Sequence, residues 1–335
     1  MQERIEKTRI AILKILKEEN KPVSSQRIAE KLMGLGYAIP DRTIRFNLLA
    51  MDKDGFTEYK KKHGRLITKR GLLELEKARV FDKVGFLDAR INKLTYSMSF
   101  DLAARTGTVV VNVSLVEQSA IAQACSLMKR VYEAGFSMGK LMAFFGPGEK
   151  IGETTVPEGY IGVGTVCSVT LNGVLLSSRV PTTSVFGGLL EIQDGKPSRF
   201  VAIIKYDGTS IDPLEIFIKS GMTDHTGAAA TGKGQIGASF REIPENGRER
   251  VLDLATRLDD AGLGGFMEIG VPNQPLHGIP VNADCVGAIV IGGLNPVAVL
   301  VENGIDVYSK TLSGLLEYDR LFAYERMAEE VKKYL

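Results

Sequence analysis

Residues 227–235, GAAATGKGQ, place Gly227, Gly232 and Lys233 at the spacing of the loop G-x-x-x-x-G-K-[ST], whose amides and lysine cradle nucleotide phosphates. Gly234 stands where that loop needs the hydroxyl that holds magnesium. The segment from Gln235 onward, QIGASFREIP, reads as a strand, whereas a phosphate loop runs from a strand into a helix whose N-terminus faces the anion. The stretch therefore reads as the opening turn of a strand and not as an ATP site. Thr231, Gly232, Lys233 and Gly234 still offer hydroxyl, amides and ammonium to a small anion, and Ser239 and Arg241 lie two strand steps apart on one face. The plainer alternative is that the Thr-Gly turn only starts a strand, with Arg241 paired to Glu242 or another surface acid. Other chemistry is scarce. No H-E-x-x-H, G-x-S-x-G or paired acid/base signature occurs, so no catalytic residue is assigned. His63, His225 and His277 form no zinc-type cluster with Cys125, Cys167 and Cys285, and no metal is expected. Three separated cysteines fit reduced, buried thiols of a cytoplasmic protein better than disulfides or nucleophiles.

A second constellation lies near the start of the chain. Residues 1–80 hold 19 basic and 11 acidic side chains, a balance of +8, and leave 23 basic and 29 acidic, or −6, for the remainder. A basic head on an acidic body is the electrostatic footprint of a polyanion partner. Helical spacing is expected over residues 2–19 and from Ser24 or Ser25, as the cap, to Leu35. A third helix comes next in RTIRFNLLAMDKDG, with Asp41 accepting its first amides and Ile44, Leu48 and Met51 facing inward. Two short alternating segments, FTEYK and RLITK, flank the tip Lys61-Lys62-His63-Gly64, and residues 68–79 read as an exit helix. This is the order of a winged helix-turn-helix. In that arrangement Arg42, Thr43, Arg45 and Phe46 of the third helix face the DNA major groove. Ser25 and Gln26, with Lys61, Lys62, His63 and Arg65 of the wing, face the backbone. The alternatives are a solvated face of a protein-binding domain and, for Phe46, packing on the wing.

The body reads as one unit written twice. AARTGTVVVNVS at 103–114 and AAATGKGQIGAS at 228–239 match at an offset of 125, and GLLE recurs at 188–191 and 314–317. Ala134-Gly135 matches Ala261-Gly262, and Leu171-Asn172 matches Leu294-Asn295. Each unit runs strand, helix and further strands. The expected fold class is therefore α+β: an N-terminal winged helix-turn-helix, then an internally duplicated regulatory domain with pseudo-twofold repeats. Expected boundaries are 1–80 for the head, 81–99 for a connector, 100–224 and 225–324 for the repeats, and 325–335 for a C-terminal helix. The uncharged stretches 159–178 and 285–301 contain Gly with Asn or Pro, so each reads as two buried strands joined by a turn rather than a membrane span. Composition is ordinary: 44% hydrophobic and 24% charged residues exclude disorder and a coiled coil.

With RTIRFNLLAMDKDG, LITKRGLLELEKA, TGKGQIGASFREIP and SGLLEYDRL in view, nearly the whole chain resembles the archaeal nitrogen-assimilation repressors of the NrpR family. The resemblance implies a dimer on a palindromic double-stranded operator, released when 2-oxoglutarate binds the regulatory domain as effector, with no other cofactor. Some members carry two regulatory domains in tandem and this chain has room for one, so a partner subunit supplying the other is an open possibility. Arg105 and Thr106, the first-repeat counterparts of the Thr231 turn, join the expected effector site with Thr231, Gly232, Lys233, Gly234, Ser239 and Arg241. An enzyme with a DNA-binding head, or a co-regulator that binds another repressor, are the other classes compatible with the residues.

Overall fold

A computed structural model describes residues 2–19, 21–34, 39–61, 63–75, 87–152 and 154–335. The chain divides into two compact units, Met1–Gly85 and Phe86–Leu335. In the first, helices α1 (Gln2–Glu19), α2 (Ser25–Gly34) and α3 (Asp41–Lys53) precede the hairpin β1 (Thr57–Lys60) and β2 (Gly64–Ile67), and helix α4 covers 69–75. Their apolar stripes meet in one core of Ile12, Leu16, Ile28, Leu32, Ile44, Leu48, Met51 and Leu75. Ser24 caps α2 by accepting the Arg27 amide at 3.3 Å. At α3 the cap position is Pro40 and Asp41 is already the first helical residue, one place later than the expected cap. Lys62, Leu35 and most of the stretch 78–88 lie outside the described residues.

The hairpin is fastened to the helices at both ends. Val23 and Arg65 exchange backbone hydrogen bonds of 2.9 and 2.8 Å, so the segment before α2 serves as a third strand of the wing. Arg65 Nε donates to Asp52 at 2.9 Å and the guanidinium lies over the Tyr59 ring. Gly64 turns the tip at a φ of 105°, where a Cβ would come within 2.2 Å of the Val23 carbonyl.

The second unit opens on α5 (Leu87–Ser97), whose Leu87 and Ile91 are buried against Val110, Cys167, Val169, Tyr206 and Leu312. Next come strands β3 (Thr108–Glu117), β4 (Leu141–Phe145), β7 (Tyr160–Val166), β8 (Thr183–Gln193) and β9 (Lys196–Lys205), with the minor hairpin β5–β6 at 150–155. Helices α6 (Ile121–Glu133) and α7 (Val169–Ser177) lie between them, and α8 is Pro213–Lys219. The chain continues through α9 (His225–Thr231), β10 (Gly234–Pro244), α10 (Arg248–Asp260), β11 (Phe266–Ile269), β12 (Cys285–Ile291), α11 (Asn295–Glu302), β13 (Val307–Glu317) and β14 (Phe322–Ala323). It ends in the short helix α12 (Met327–Glu330) and a 3-10 turn.

Two five-stranded sheets result, ordered β11-β12-β10-β8-β9 and β13-β3-β7-β4-β14. The run β3, α6, β4, β7, α7, β8 is succeeded by a run of the same order, β10, α10, β11, β12, α11, β13. The last strand of each run leaves its own sheet: β8 pairs with β10, and β13 pairs with β3. The cores are shared in the same way. Residues of α6 and α11 fill one, and residues of α7 and α10 fill the other.

Two sequence expectations are corrected. Residues 159–178 and 285–301 are each a strand and then a buried helix, α7 or α11, not two strands joined by a turn. A helix apolar on all sides shows no 3.6-residue period, so a short buried one is indistinguishable from a strand by pattern. GAAATG, read as the opening turn of a strand, is mostly the helix α9. Its alanines favour helix, Asp224 caps it by accepting the Gly227 amide at 2.8 Å, and Gly232 closes it in the left-handed region at a φ of 72°. Among the described residues no helix is long and apolar enough to cross a membrane.

The tip glycine gives the first prediction. Gly64→Ala should destabilise the head by about 2 kcal/mol, from left-handed backbone strain and the clash with Val23, read as a lower thermal midpoint. An unchanged midpoint would mean that the wing is not docked on Val23.

Candidate functional site

On the head, α3 holds Arg42, Thr43, Arg45 and Phe46 in solvent while Ile44, Asn47, Leu48 and Met51 are buried. Phe46 is 73% exposed and so does not pack on the wing. Asn47 is used internally, donating to the Thr43 carbonyl at 2.9 Å. Leu49, which the sequence reading does not assign, is 62% exposed and joins Arg42, Thr43, Arg45 and Phe46 around a shallow depression of about 420 Å³. At 100° per residue it falls between Arg42 and Arg45, the signal that would have found it. Lys61 and His63 are exposed at the wing tip and Gln26 is exposed on α2, but Ser25 is half-buried. Arg65 is largely spent on Asp52 and Tyr59.

In the body, the eight expected effector residues separate. Arg105 and Thr106 are exposed in a turn, Arg105 at a φ of 54°. The Thr231 hydroxyl is consumed locally, donating to the Gly227 carbonyl at 2.8 Å and accepting the Lys233 amide at 3.2 Å. The Gly232 carbonyl accepts the Gly195 amide, Gly234 begins β10, and Lys233 points to solvent. The N-terminus of α9 already holds carboxylates of this chain. Glu302 accepts the amides of His225 and Thr226 at 2.8 and 2.9 Å, together with the Thr226 hydroxyl and His225 Nδ1. Burial raises the Glu302 pKa, yet these donors hold it down at about 2. An anion has no free amides there, which removes the phosphate-loop reading for a second reason.

Only Ser239 and Arg241 come together, on one face of β10, a strand buried on both faces. Arg241 is 1% exposed. Its guanidinium donates to Asn172 Oδ1, to Ser184 Oγ at 2.8 Å and to Ser168 Oγ at 3.0 Å, and its Nε has no partner among the described residues. Ser184 faces it directly across the β8–β10 ladder, where a register shift comes after Phe240. Among the described residues no carboxylate lies within ion-pair distance; Glu242, the neighbour expected as a partner, turns away to bind the amide and side chain of Asn282. The Ser239 hydroxyl faces the Tyr206 phenol without closing a normal hydrogen bond. Burial lowers the Arg241 pKa, pushes the Cys167 thiol up to about 12 and raises Tyr206. A thiol so raised is not a nucleophile at neutral pH. Asp212 lies half-buried near Tyr206 and Cys167, where desolvation lifts it to about 7 against the hydrogen bond from the Leu214 amide. Ser168, Ser184, Tyr206 and Asp212 escape the sequence reading because four separate elements deliver them; Asn172 surfaces there only as half of a repeated Leu-Asn pair.

The comparisons with known proteins agree with both parts. Residues 84–323 match the family of NrpR regulatory domains NRD1 and 2, and residues 10–75 match the ribonuclease R winged-helix domain. The chain is 33% identical to the global nitrogen regulator NrpRI of Methanosarcina mazei, over 96% of this chain and 99% of that one. The chain belongs to the NrpR family. It is 32% identical to the global nitrogen regulator NrpR of Methanocaldococcus jannaschii over 96% of its length, but spans 56% of that longer protein. A crystal structure of a nitrogen repressor-like protein from Methanococcus jannaschii superposes with a TM-score of 0.62 at 29% identity, covering 72% of this chain and 99% of that one. These NrpR relatives are regulators, and the chain is a member of a family of regulators rather than of enzymes.

Asp212 provides a pH test. Its folded pKa, about 7, lies above its ordinary 3.8, so the neutral carboxyl's share of stability is complete below about pH 4 and is lost as pH rises through about 7. Asp212→Asn keeps a cap acceptor for α8 and cannot ionise. Its thermal midpoint should equal that of the wild type near pH 4 and exceed it at pH 8; equal midpoints at pH 8 would mean that the carboxylate is solvated.

Proposed function

We propose that the chain is a DNA-binding transcriptional repressor of nitrogen-assimilation genes in the cytoplasm, which binds a palindromic operator as a homodimer and releases it when 2-oxoglutarate occupies the body. The observation that carries the DNA-binding part is the exposed Arg42, Thr43, Arg45 and Phe46 face on the third helix of a winged helix-turn-helix, beside a basic wing tip. Arginine forks match guanine in the major groove, and Lys61 and His63 stand where backbone phosphate would pass.

The effector reading is supported by Arg241. A buried guanidinium that meets only neutral oxygens, with Nε unused, lacks a counter-charge, and a small dicarboxylate supplies one. Ser168, Asn172, Ser184 and Ser239 are the accompanying polar groups. Arg105, Thr106, Thr231, Gly232, Lys233 and Gly234 do not meet this cluster and have a smaller claim. The body is an ancient duplication with pseudo-twofold halves, a reading supported by the recurring element order and the reciprocal placement of β8 and β13. Release occurs if the effector favours a head spacing that no longer fits half-sites about 34 Å apart. A partner subunit with further regulatory domains belongs to the same reading.

Two experiments test this. Arg42→Ala and Arg45→Ala should each weaken salt-dependent binding to a palindromic fragment by roughly ten- to hundredfold, measured by fluorescence anisotropy; unchanged binding in both would sink the assignment of α3. In calorimetry the wild type should bind 2-oxoglutarate and neither glutamate nor ATP. Arg241→Gln should abolish that binding while keeping a thermal midpoint at or above wild type, since it removes an uncompensated buried charge. Tight binding of ATP without a response to 2-oxoglutarate would overturn the effector reading.

A further inference from the structure

The side chains that project furthest from α3 are not its arginines alone. Arg42, Phe46, Leu49 and Lys53 fall within about 40° of one line along the helix, at i, i+4, i+7 and i+11, and all four are exposed. The middle of that line is apolar. Phe46 and Leu49 are 73% and 62% exposed, sit about 4.5 Å apart along the axis and share their depression with the stems of Arg42 and Arg45. Two large apolar side chains that adjoin in water and are rimmed by charged residues mark an interaction surface. The partner's charge is indicated by the surroundings: Arg42, Arg45 and Lys53 flank the pair on the same helix, and no acidic residue of α3 is exposed among the side chains described.

In the major groove each base edge presents hydrogen-bond donors and acceptors, and the thymine 5-methyl is the one apolar group. An apolar ridge at the deepest line of a recognition helix therefore has one base to match. We infer that Phe46 and Leu49 read thymine methyl groups, so that the operator half-site carries thymines under the middle of α3 and guanines under its N-terminal end, where Arg42 and Arg45 lie. Leu49 thereby becomes a specificity-determining residue beside the four already assigned. The inference rests on the reading of the head as a DNA-binding domain.

The test uses the full chain and a duplex selected by it from a random-sequence pool. The selected duplex is resynthesised with deoxyuridine in place of thymidine, which removes the methyl and leaves every hydrogen-bonding group in place. Affinity should fall about fourfold for each methyl that Phe46 or Leu49 covers. Phe46→Ala and Leu49→Ala, whose folding is checked by thermal denaturation, should bind the thymidine duplex more weakly and lose the preference for it over the deoxyuridine duplex. Equal binding of the two duplexes by wild type, with salt dependence intact, would overturn the methyl readout while leaving DNA binding standing. Unaltered operator affinity in both alanine variants would overturn it as well and give the ridge to a protein partner. Failure to select any sequence would overturn both this inference and the DNA-binding reading beneath it.

Discussion

Each five-stranded sheet of the body is completed by two strands from the other half of the chain, and the rest of the unit depends on that exchange. β8 lies between β10 and β9, and β13 lies against β3, so neither half contains a closed core of its own. The helices repeat the arrangement, α6 sharing a core with α11 and α7 with α10. Apolar burial is proportional to area, and an isolated half would leave the inner face of a three-stranded sheet in water. The two halves are thus one cooperative object.

The exchange also builds the Arg241 cluster. Arg241 belongs to the second half, while Ser168, Asn172 and Ser184 belong to the first, and Ser184 is its direct neighbour only because β8 has crossed to β10. A guanidinium carried out of water loses several kcal/mol of hydration unless hydrogen bonds and an opposite charge replace it. Three neutral oxygens provide part of that, and the remaining deficit sits at the seam between the halves. Tyr206, Cys167 and Leu312 connect the same seam by packing to Leu87 and Ile91 of α5, the first element of the body. Whatever changes the electrostatics at Arg241 acts where both halves and α5 meet.

Much of this is legible in the sequence, and the failures share a cause. The head is readable almost completely, because amphipathic helices and a hairpin bound by Gly64 carry local periodicity. The strand after Thr231-Gly232 and the pairing of Ser239 with Arg241 on one face are also accessible, since alternation fixes which side chains share a surface. The buried helices α7 and α11 are not, because an all-apolar helix shows no period. Nor is the cluster around Arg241: Ser168, Asn172 and Ser184 are brought there by the placement of α7 and the β8–β10 pairing, which spacing along the chain does not encode. The glycine loop misleads in a specific way. Its letters match a phosphate cradle, but Asp224 and Glu302 supply from within the chain the negative charge that a nucleotide would bring.

The exchanged strand has a temporal side. The amide of Val113 on β3 is bonded to the Ser313 hydroxyl on β13, 200 residues later. At about 5–20 residues per second of synthesis, that partner reaches β3 roughly 10–40 s after it has left the ribosome. For that interval one edge of a long, Val-rich strand waits open, a template for any neighbouring chain. The speed of translation, and what shields the nascent edge meanwhile, thereby become determinants of how much regulator a cell obtains from each message.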